Sequence, residues 1–522
     1  MIITEFDGDG LHTLGRWTTD RAVATPERVA VDDRGVVLTY LELDERATRL
    51  AARVLDAGYG VGDRIATLTG NSSDQVVLFF ACAKAGLVLV PLSWRLSPRE
   101  LAHELDHADP ALVLIEDEFR SLASAALRRL PHTLAVSSLG ANGVERETPL
   151  PSRKLDEPVL RRAVRDDDPL LIVFTSGTLD RPKAAVLTHA NCFWTNLALS
   201  RTVEITSLDV VLAVMPQYHV GGWNVQPLLA WWVGATVVLE RTFDPGRVLQ
   251  LVQERHITTM MGVPANYLFL AEHPAFGSAD LSTLKRAVVG GASMPGPLLR
   301  TWHSRGVALT QGYGLTEASP NVLCLPDEDA RSKVGLAGKP YPHVDVAVAD
   351  PVTGERLIGA AEGELLVRGP SVFAGYFRDR ELTEAALSGG WLHTGDLVRR
   401  DADGYFEVID RIDDIYISGG EGVAPAAVES VLFAHPAVAD AAVIGVPDER
   451  WGETGVAYIV VRSGVATDEK DIIDWCASQL ASFKVPRSVR FVTEIPRSAG
   501  AKVLRRVLLE RWRTESAKKV TR

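Results

Sequence analysis

Short apolar runs alternate with helix-patterned stretches through more than half of this chain, and that alternation leaves few folds open. Thr39 followed by Glu42 forms a capping box, Leu43, Ala47, Leu50 and Val54 then recur at helical spacing, and Gly58 stops the run. A strand-like run follows at residues 65–68, a helical pattern at 74–84, and further apolar runs at 87–90 and 112–115. The pattern returns at 170–174, 210–215, 236–239 and 287–289. Strands separated by helices pair in parallel and are covered by those helices, so an α/β fold with largely parallel sheets is expected. At 522 residues the chain exceeds what one core sustains, so at least two domains are expected.

From about Gly363 the texture changes to short runs punctuated by glycine and aromatic residues, which reads as strands joined by turns. The last hundred or so residues return to a mixed pattern, with helices expected at 424–434 and 468–480 and strands at 441–446 and 456–461. This predicts a small α+β domain, with the boundary near 411–413: an N-terminal domain over 1–412 and a C-terminal one over 413–522.

A formal charge of −12 argues against a partner held by phosphate neutralisation, so no nucleic acid is expected. Cys82, Cys192, Cys324 and Cys476 lie far apart, which fits neither a disulfide framework nor a zinc site and suits a reducing cytoplasm. The opening MIITEFDGDG lacks the basic and apolar regions of a secretory leader. The longest mostly apolar stretch, 228–239, is far shorter than the ~20 residues of a bilayer-crossing helix. A cytoplasmic protein without a membrane span is expected.

Five segments carry candidate chemistry. Thr175, Ser176, Gly177 and Thr178 lead through Leu179, Asp180, Arg181 and Pro182 to Lys183, after a buried-looking strand and ahead of a helical pattern. Hydroxyls, backbone N–H groups and a lysine in such a turn can surround polyphosphate, although an ordinary Ser/Thr-rich turn has the same pattern. It is not a Walker A loop, and Gly338-Lys339 is followed by Pro340. In the second segment, Gln311 to Glu317, Tyr313 sits between Gly312 and Gly314 and can lie against a base. Thr316 can bond a phosphate, and Glu317 is a hard ligand suited to Mg²⁺. The third, Gly390 to Asp396, places a carboxylate after a tight turn, where it could accept ribose hydroxyls. The fourth, Asp410 to Asp414 with Ser418 to Glu421, packs charge between apolar runs, as a hinge or a solvated loop would. The fifth sets Lys502 on a loop near the C-terminus.

Taken in order, these segments resemble the adenylate-forming superfamily of acyl-CoA synthetases, peptide-synthetase adenylation domains and firefly luciferases, from about residue 12 to about residue 510. The resemblance implies parallel-type sheets plus a distorted β-barrel in the N-terminal domain and a mobile α+β C-terminal domain. It implies a phosphate loop at Thr175, Ser176, Gly177, Thr178 and Lys183, and Tyr313 stacked on adenine beside Gly290, Gly291 and Ala292. Thr316 would contact the α-phosphate, Glu317 the Mg²⁺, and Asp396 and Arg411 the ribose. Lys502 would bridge the substrate carboxylate and the α-phosphate, with Asp413 as hinge. His219 matches a position lining the acyl site, and Trp223, Asn224, Val263, Pro264, Tyr267 and Gly291 would shape the acid pocket. The Gly221 to Asn224 stretch resembles that of bacterial fatty-acyl and aryl-CoA ligases.

The implied activity is ATP-dependent conversion of a fatty or aromatic carboxylic acid to its acyl-AMP and then its coenzyme A thioester. The alternatives are a different acid or acceptor, such as nitrite for diazotisation of an aromatic amine or a carrier-protein thiol. Four departures bear on nucleotide handling: Leu179-Asp180 and Ala184 in the phosphate loop, Asp410 before the ribose arginine and Ala501 before the lysine. Retention of Thr316, Glu317, Asp396, Arg411 and Lys502 argues against a descendant that merely binds nucleotide. The sequence does not specify the oligomeric state, and a homodimer is compatible with it.

Overall fold

A computed structural model describes residues 10–139, 150–152, 162–175, 183–448, 450–497 and 502–520. Its first sheet has nine strands in the spatial order Lys339–Pro340, Asn321–Cys324, Ala308–Gly314, Arg286–Val289, Thr259–Gly262, Val210–Ala213, Thr236–Leu239, Val29–Asp33 and Val36–Thr39. The six strands from Ala308–Gly314 to Val29–Asp33 are parallel, as the alternation with helices demands. The strands outside them pair antiparallel.

The second sheet runs Gly375–Tyr376, Lys183–Thr188, Pro169–Thr175, Val88–Leu92, Arg64–Leu68, Leu112–Glu116 and Val136–Leu139. Helix Ser73–Ala85 lies between these two sheets and is buried on every side except at Lys84, so its apolar residues read as a continuous block. Phe79 stacks on Trp223 at 4.7 Å and Phe80 meets Trp231 edge-on at 5.8 Å, tying this helix to the elements beside the first sheet. Helix Tyr40–Asp56 carries the expected capping box and buries Leu43, Ala47, Leu50 and Val54. The apolar stretch 228–239 divides into helix Pro227–Val233, a turn at Gly234 (φ 89°) and strand Thr236–Leu239. No helix among the described residues is long and apolar enough to cross a membrane.

The region expected as a barrel is a five-stranded antiparallel sheet, Arg356–Leu357, Asp345–Ala349, Ala361–Arg368, Leu392–Arg400 and Phe406–Arg411, with a single bridge from Phe406 to Gly338. A fourth sheet begins at Tyr416–Ser418 and holds Glu421–Val423, Gly452–Val461 and Val438–Asp448, with Ser488–Phe491 alongside. Helices Pro425–Phe433 and Glu469–Gln479 pack on it, the second capped by Asp468. Only the turn Ile412–Asp414 and Ile415 separate the third sheet from the fourth.

One local expectation is corrected. The segment after Lys183 is a strand, Lys183–Thr188, paired antiparallel with Pro169–Thr175, and helix His189–Ser200 begins only afterwards. Thr175 and Lys183, the described ends of the phosphate-loop candidate, therefore pair across antiparallel strands, and a helix N-terminus does not follow Lys183 directly.

Candidate active site

Four neighbouring parallel strands of the first sheet deliver candidate residues at their C-terminal ends, where open α/β sheets bind ligands. Val210–Ala213 leads to His219, Thr259–Gly262 to Val263, Arg286–Val289 to Gly290, Gly291 and Ala292, and Ala308–Gly314 to Tyr313, Thr316 and Glu317. The segment Gln311 to Gly314 is the C-terminal end of its strand. Gly314 has a steric reason to be glycine, since a Cβ there would lie 1.6 Å from the Pro320 carbonyl oxygen. That close approach folds the 3₁₀ turn Thr316–Ala318 back on the strand.

The third sheet brings Asp396 and Arg411 together as cross-strand partners. Arg411 Nε lies 3.4 Å from Asp396 Oδ1, and the Tyr313 hydroxyl donates to Asp396 Oδ2 at 2.5 Å. Burial pushes the Asp396 carboxyl up from its ordinary range, and the Arg411 guanidinium works against that rise. The Tyr313 phenol is raised by burial and by Asp396, so it stays protonated and donates.

A second constellation centres on Glu317. Its Oε1 accepts from the Tyr376 hydroxyl at 2.8 Å, and its backbone carbonyl accepts from Phe373 N–H at 2.9 Å. The Lys183 ammonium stands 5.4 Å from the Tyr376 ring centroid. Sequence reasoning missed Tyr376, whose only signal is an aromatic residue after Gly375 in the glycine-punctuated region. Ser176, Gly177 and Thr178, with Leu179 and Asp180, lie outside the described residues, as does Ala501. Ala184 packs its side chain into the core opposite Phe174.

His219 Nδ1 accepts from the Gly221 N–H at 3.2 Å, which leaves the proton of the neutral ring on Nε2. Burial lowers its pKa to about 4, and the charge of Lys502 adds to the effect. Lys502 also acts on Asp396, so the lysine of the C-terminal region stands within electrostatic reach of both residues. The acid-pocket candidates sit deeper. Trp223 and Asn224 have no exposed surface; Trp223 Nε1 donates to the Gln217 carbonyl at 2.7 Å and Asn224 Oδ1 accepts from Asn196 at 3.1 Å. Tyr267 is equally buried and donates to the Val288 carbonyl at 2.9 Å, while Val263 is buried at its strand end and Pro264 opens helix Pro264–Glu272.

Residues 18–377 match the family model for AMP-binding enzymes, and 427–502 match that for the AMP-binding enzyme C-terminal domain. The chain belongs to the AMP-binding, adenylate-forming enzyme family. Among its relatives are a feruloyl-CoA synthase from an Amycolatopsis species, 39% identical over 94% of this chain and 97% of that protein, and the fatty acid–[acyl-carrier-protein] ligase ScoC of Streptomyces coeruleorubidus, 36% identical over 98% of both. ATP-bound MatB from Rhodopseudomonas palustris superposes with a TM-score of 0.86 at 32% identity, covering 96% of this chain and 99% of MatB. o-Succinylbenzoate CoA synthetase from Bacillus subtilis, in complex with its acyl-adenylate intermediate, gives 0.82 at 29% identity over 94% and 97%. As a member of this AMP-binding family the chain is an ATP-dependent acid–thiol ligase that activates a carboxylic acid as its acyl-AMP.

Proposed function

We propose that the acid is aromatic and that Lys502, Thr316, Glu317, His219, Asp396 and Arg411 carry the reaction. The observation that supports this reading is that Lys502 stands within electrostatic reach both of His219, which follows a parallel strand of the first sheet, and of Asp396, which pairs with Arg411 in the third. Feruloyl-CoA synthase, the 39% relative, takes its name from an aromatic acid, which supports that substrate class.

The first step joins two anions. A carboxylate oxygen attacks the α-phosphorus, the bond from that phosphorus to the bridging oxygen of pyrophosphate breaks, and pyrophosphate leaves. The Lys502 ammonium between them offsets the repulsion and the charge that develops on the α-phosphate. His219, neutral at physiological pH, donates from Nε2 toward the carboxylate and so orients it without adding charge. Arg411 and Asp396, locked by Tyr313, hold the ribose, and positioning of this kind supplies much of the rate.

Glu317 offers one hard carboxylate, and no group of three or more potential ligands converges among the described residues. That donor set fits Mg²⁺, which in nucleotide sites takes one or two carboxylates and completes its shell with phosphate oxygens and water. When bound there, Mg²⁺ supplies charge neutralisation on the phosphates.

In the second step the thiol attacks the acyl carbon, AMP leaves and the thiol proton is released. The short turn at Ile412–Asp414 supports a division into domains 1–412 and 413–522, with rotation about Asp413 replacing Lys502 by the Gly419-Gly420 region. The relative ScoC favours a second reading in which the thiol belongs to a carrier protein. A cytoplasmic location is supported by four buried cysteines without disulfides. The test is AMP release from ATP with aromatic and fatty acids, with CoA, a carrier protein or nitrite added in turn. Turnover that requires both an aromatic acid and CoA supports the first reading, and turnover with fatty acids alone or with nitrite alone overturns it.

A further inference from the structure

Asp410 reaches across the linker between the third and fourth sheets. It is 8% exposed, and it divides its two oxygens between the two sides: Oδ1 accepts the backbone N–H of Arg411, and Oδ2 accepts that of Ala426, each at 2.8 Å. Ala426 is the second residue of helix Pro425–Phe433, whose own cap, Ala424, has no side chain able to accept a hydrogen bond. The first turn of any helix has N–H groups without internal partners and a partial positive charge, so a carboxylate there acts as a cap. Here the cap comes from a strand of the preceding sheet.

Behind this contact lies Arg505, three residues after Lys502. Arg505 Nη2 is 2.8 Å from Glu429 Oε1, its Nη1 is 3.4 Å from Asp414 Oδ2, and its Nε donates to the Val443 carbonyl at 3.2 Å. Arg505 also offsets the burial cost of Asp410 and Glu429. A continuous chain of contacts therefore runs from Arg411, on the nucleotide side, through Asp410 and helix Pro425–Phe433 to Arg505 and so to the base of the loop that carries Lys502.

We infer that Asp410 is a positioning residue that holds the C-terminal domain in the arrangement presenting Lys502 to the acid and ATP. The inference rests on the proposed rotation about Asp413. Asp410 precedes that pivot and Ala426 follows it, so a large rotation breaks the bond between them. The contact then exists in the adenylating arrangement and is lost in the thioester-forming one. A bond present in only one of two arrangements biases their populations by its own strength, and a carboxylate–amide bond of this type is worth about tenfold.

The test uses the full chain and the variants Asp410→Ala and Asp410→Asn. The asparagine keeps the packing and one acceptor, so its effect is intermediate. Dyes on Leu208→Cys and Val465→Cys, at positions 82% and 43% exposed, report the domain arrangement by energy transfer, because all four native cysteines are buried. The expected result is a ratio of adenylating to thioester-forming transfer populations about tenfold lower in Asp410→Ala than in wild type. With ferulate as the acid, ATP–pyrophosphate exchange falls in proportion to the adenylating population lost, while thioester formation from preformed feruloyl-AMP does not fall. An unchanged transfer distribution, or two half-reactions that fall together with the melting temperature, overturns the inference and leaves Asp410 a helix cap only. Wild type that releases no AMP with any acid would sink the proposed function instead, and the energy-transfer measurement would still judge Asp410.

Discussion

Gly314→Ala is the substitution whose consequence the structure specifies most sharply. The new Cβ would lie 1.6 Å from the Pro320 carbonyl oxygen, whereas real Cβ contacts essentially never fall below 3.0 Å. Both partners are backbone, so no rotamer change relieves the clash, and the segments must separate by about 1.4 Å. That separation passes directly into the turn Thr316–Ala318 and into Tyr313, one residue before the glycine. A misplacement of about 1 Å in positioning groups costs on the order of 10²-fold in rate, and the overpacking adds about 1–3 kcal/mol of destabilisation. ATP–pyrophosphate exchange should therefore drop about a hundredfold, with ATP affinity by calorimetry reduced alongside. Gly277→Ala is the matched control, because a Cβ there meets nothing within 4 Å. Exchange in Gly314→Ala at half the wild-type rate or more would refute the reasoning.

Asp396→Asn leaves the Arg411 guanidinium beside a neutral amide and weakens the bond from Tyr313. The loss of one charge-assisted contact is about 2 kcal/mol, so KM for ATP should rise roughly thirtyfold, and steady-state kinetics at saturating acid will show whether it does. His189 is fully buried, its Nδ1 accepts the Leu14 N–H, and burial lowers its pKa to about 4. The unfolded chain therefore protonates this residue first, and its contribution to stability, complete above about pH 6.5, is lost as pH falls toward 4, up to roughly 3 kcal/mol. Urea midpoints for wild type and His189→Gln across that window should converge at the acid end. Parallel curves would count against the assignment.

The parallel strands and the capping box of helix Tyr40–Asp56 were legible in the sequence because their signals are local: apolar runs of fixed length, and Thr39 three residues before Glu42. The hairpin at Lys183–Thr188 was not. Ala184, Ala185 and Leu187 are good helix formers, and their strand conformation comes from pairing with Pro169–Thr175, which no short window contains. In Gln311 to Gly314 the glycines permit close packing of a strand against backbone, a role that the short spacing does not reveal. The residue types of the site were readable, and their partners were not. Tyr376 reaches Glu317 across 59 positions and Tyr313 reaches Asp396 across 83, distances set by sheet topology rather than by spacing.

The most direct test of the account is AMP release in wild type and Lys502→Ala, with ferulate as the acid and CoA present or absent. The account predicts AMP formation that depends on the acid, is stimulated by CoA, and falls on the order of 10²–10³-fold in the variant, as loss of a single charge-stabilising group does elsewhere. Wild-type turnover that survives the substitution unchanged would contradict it.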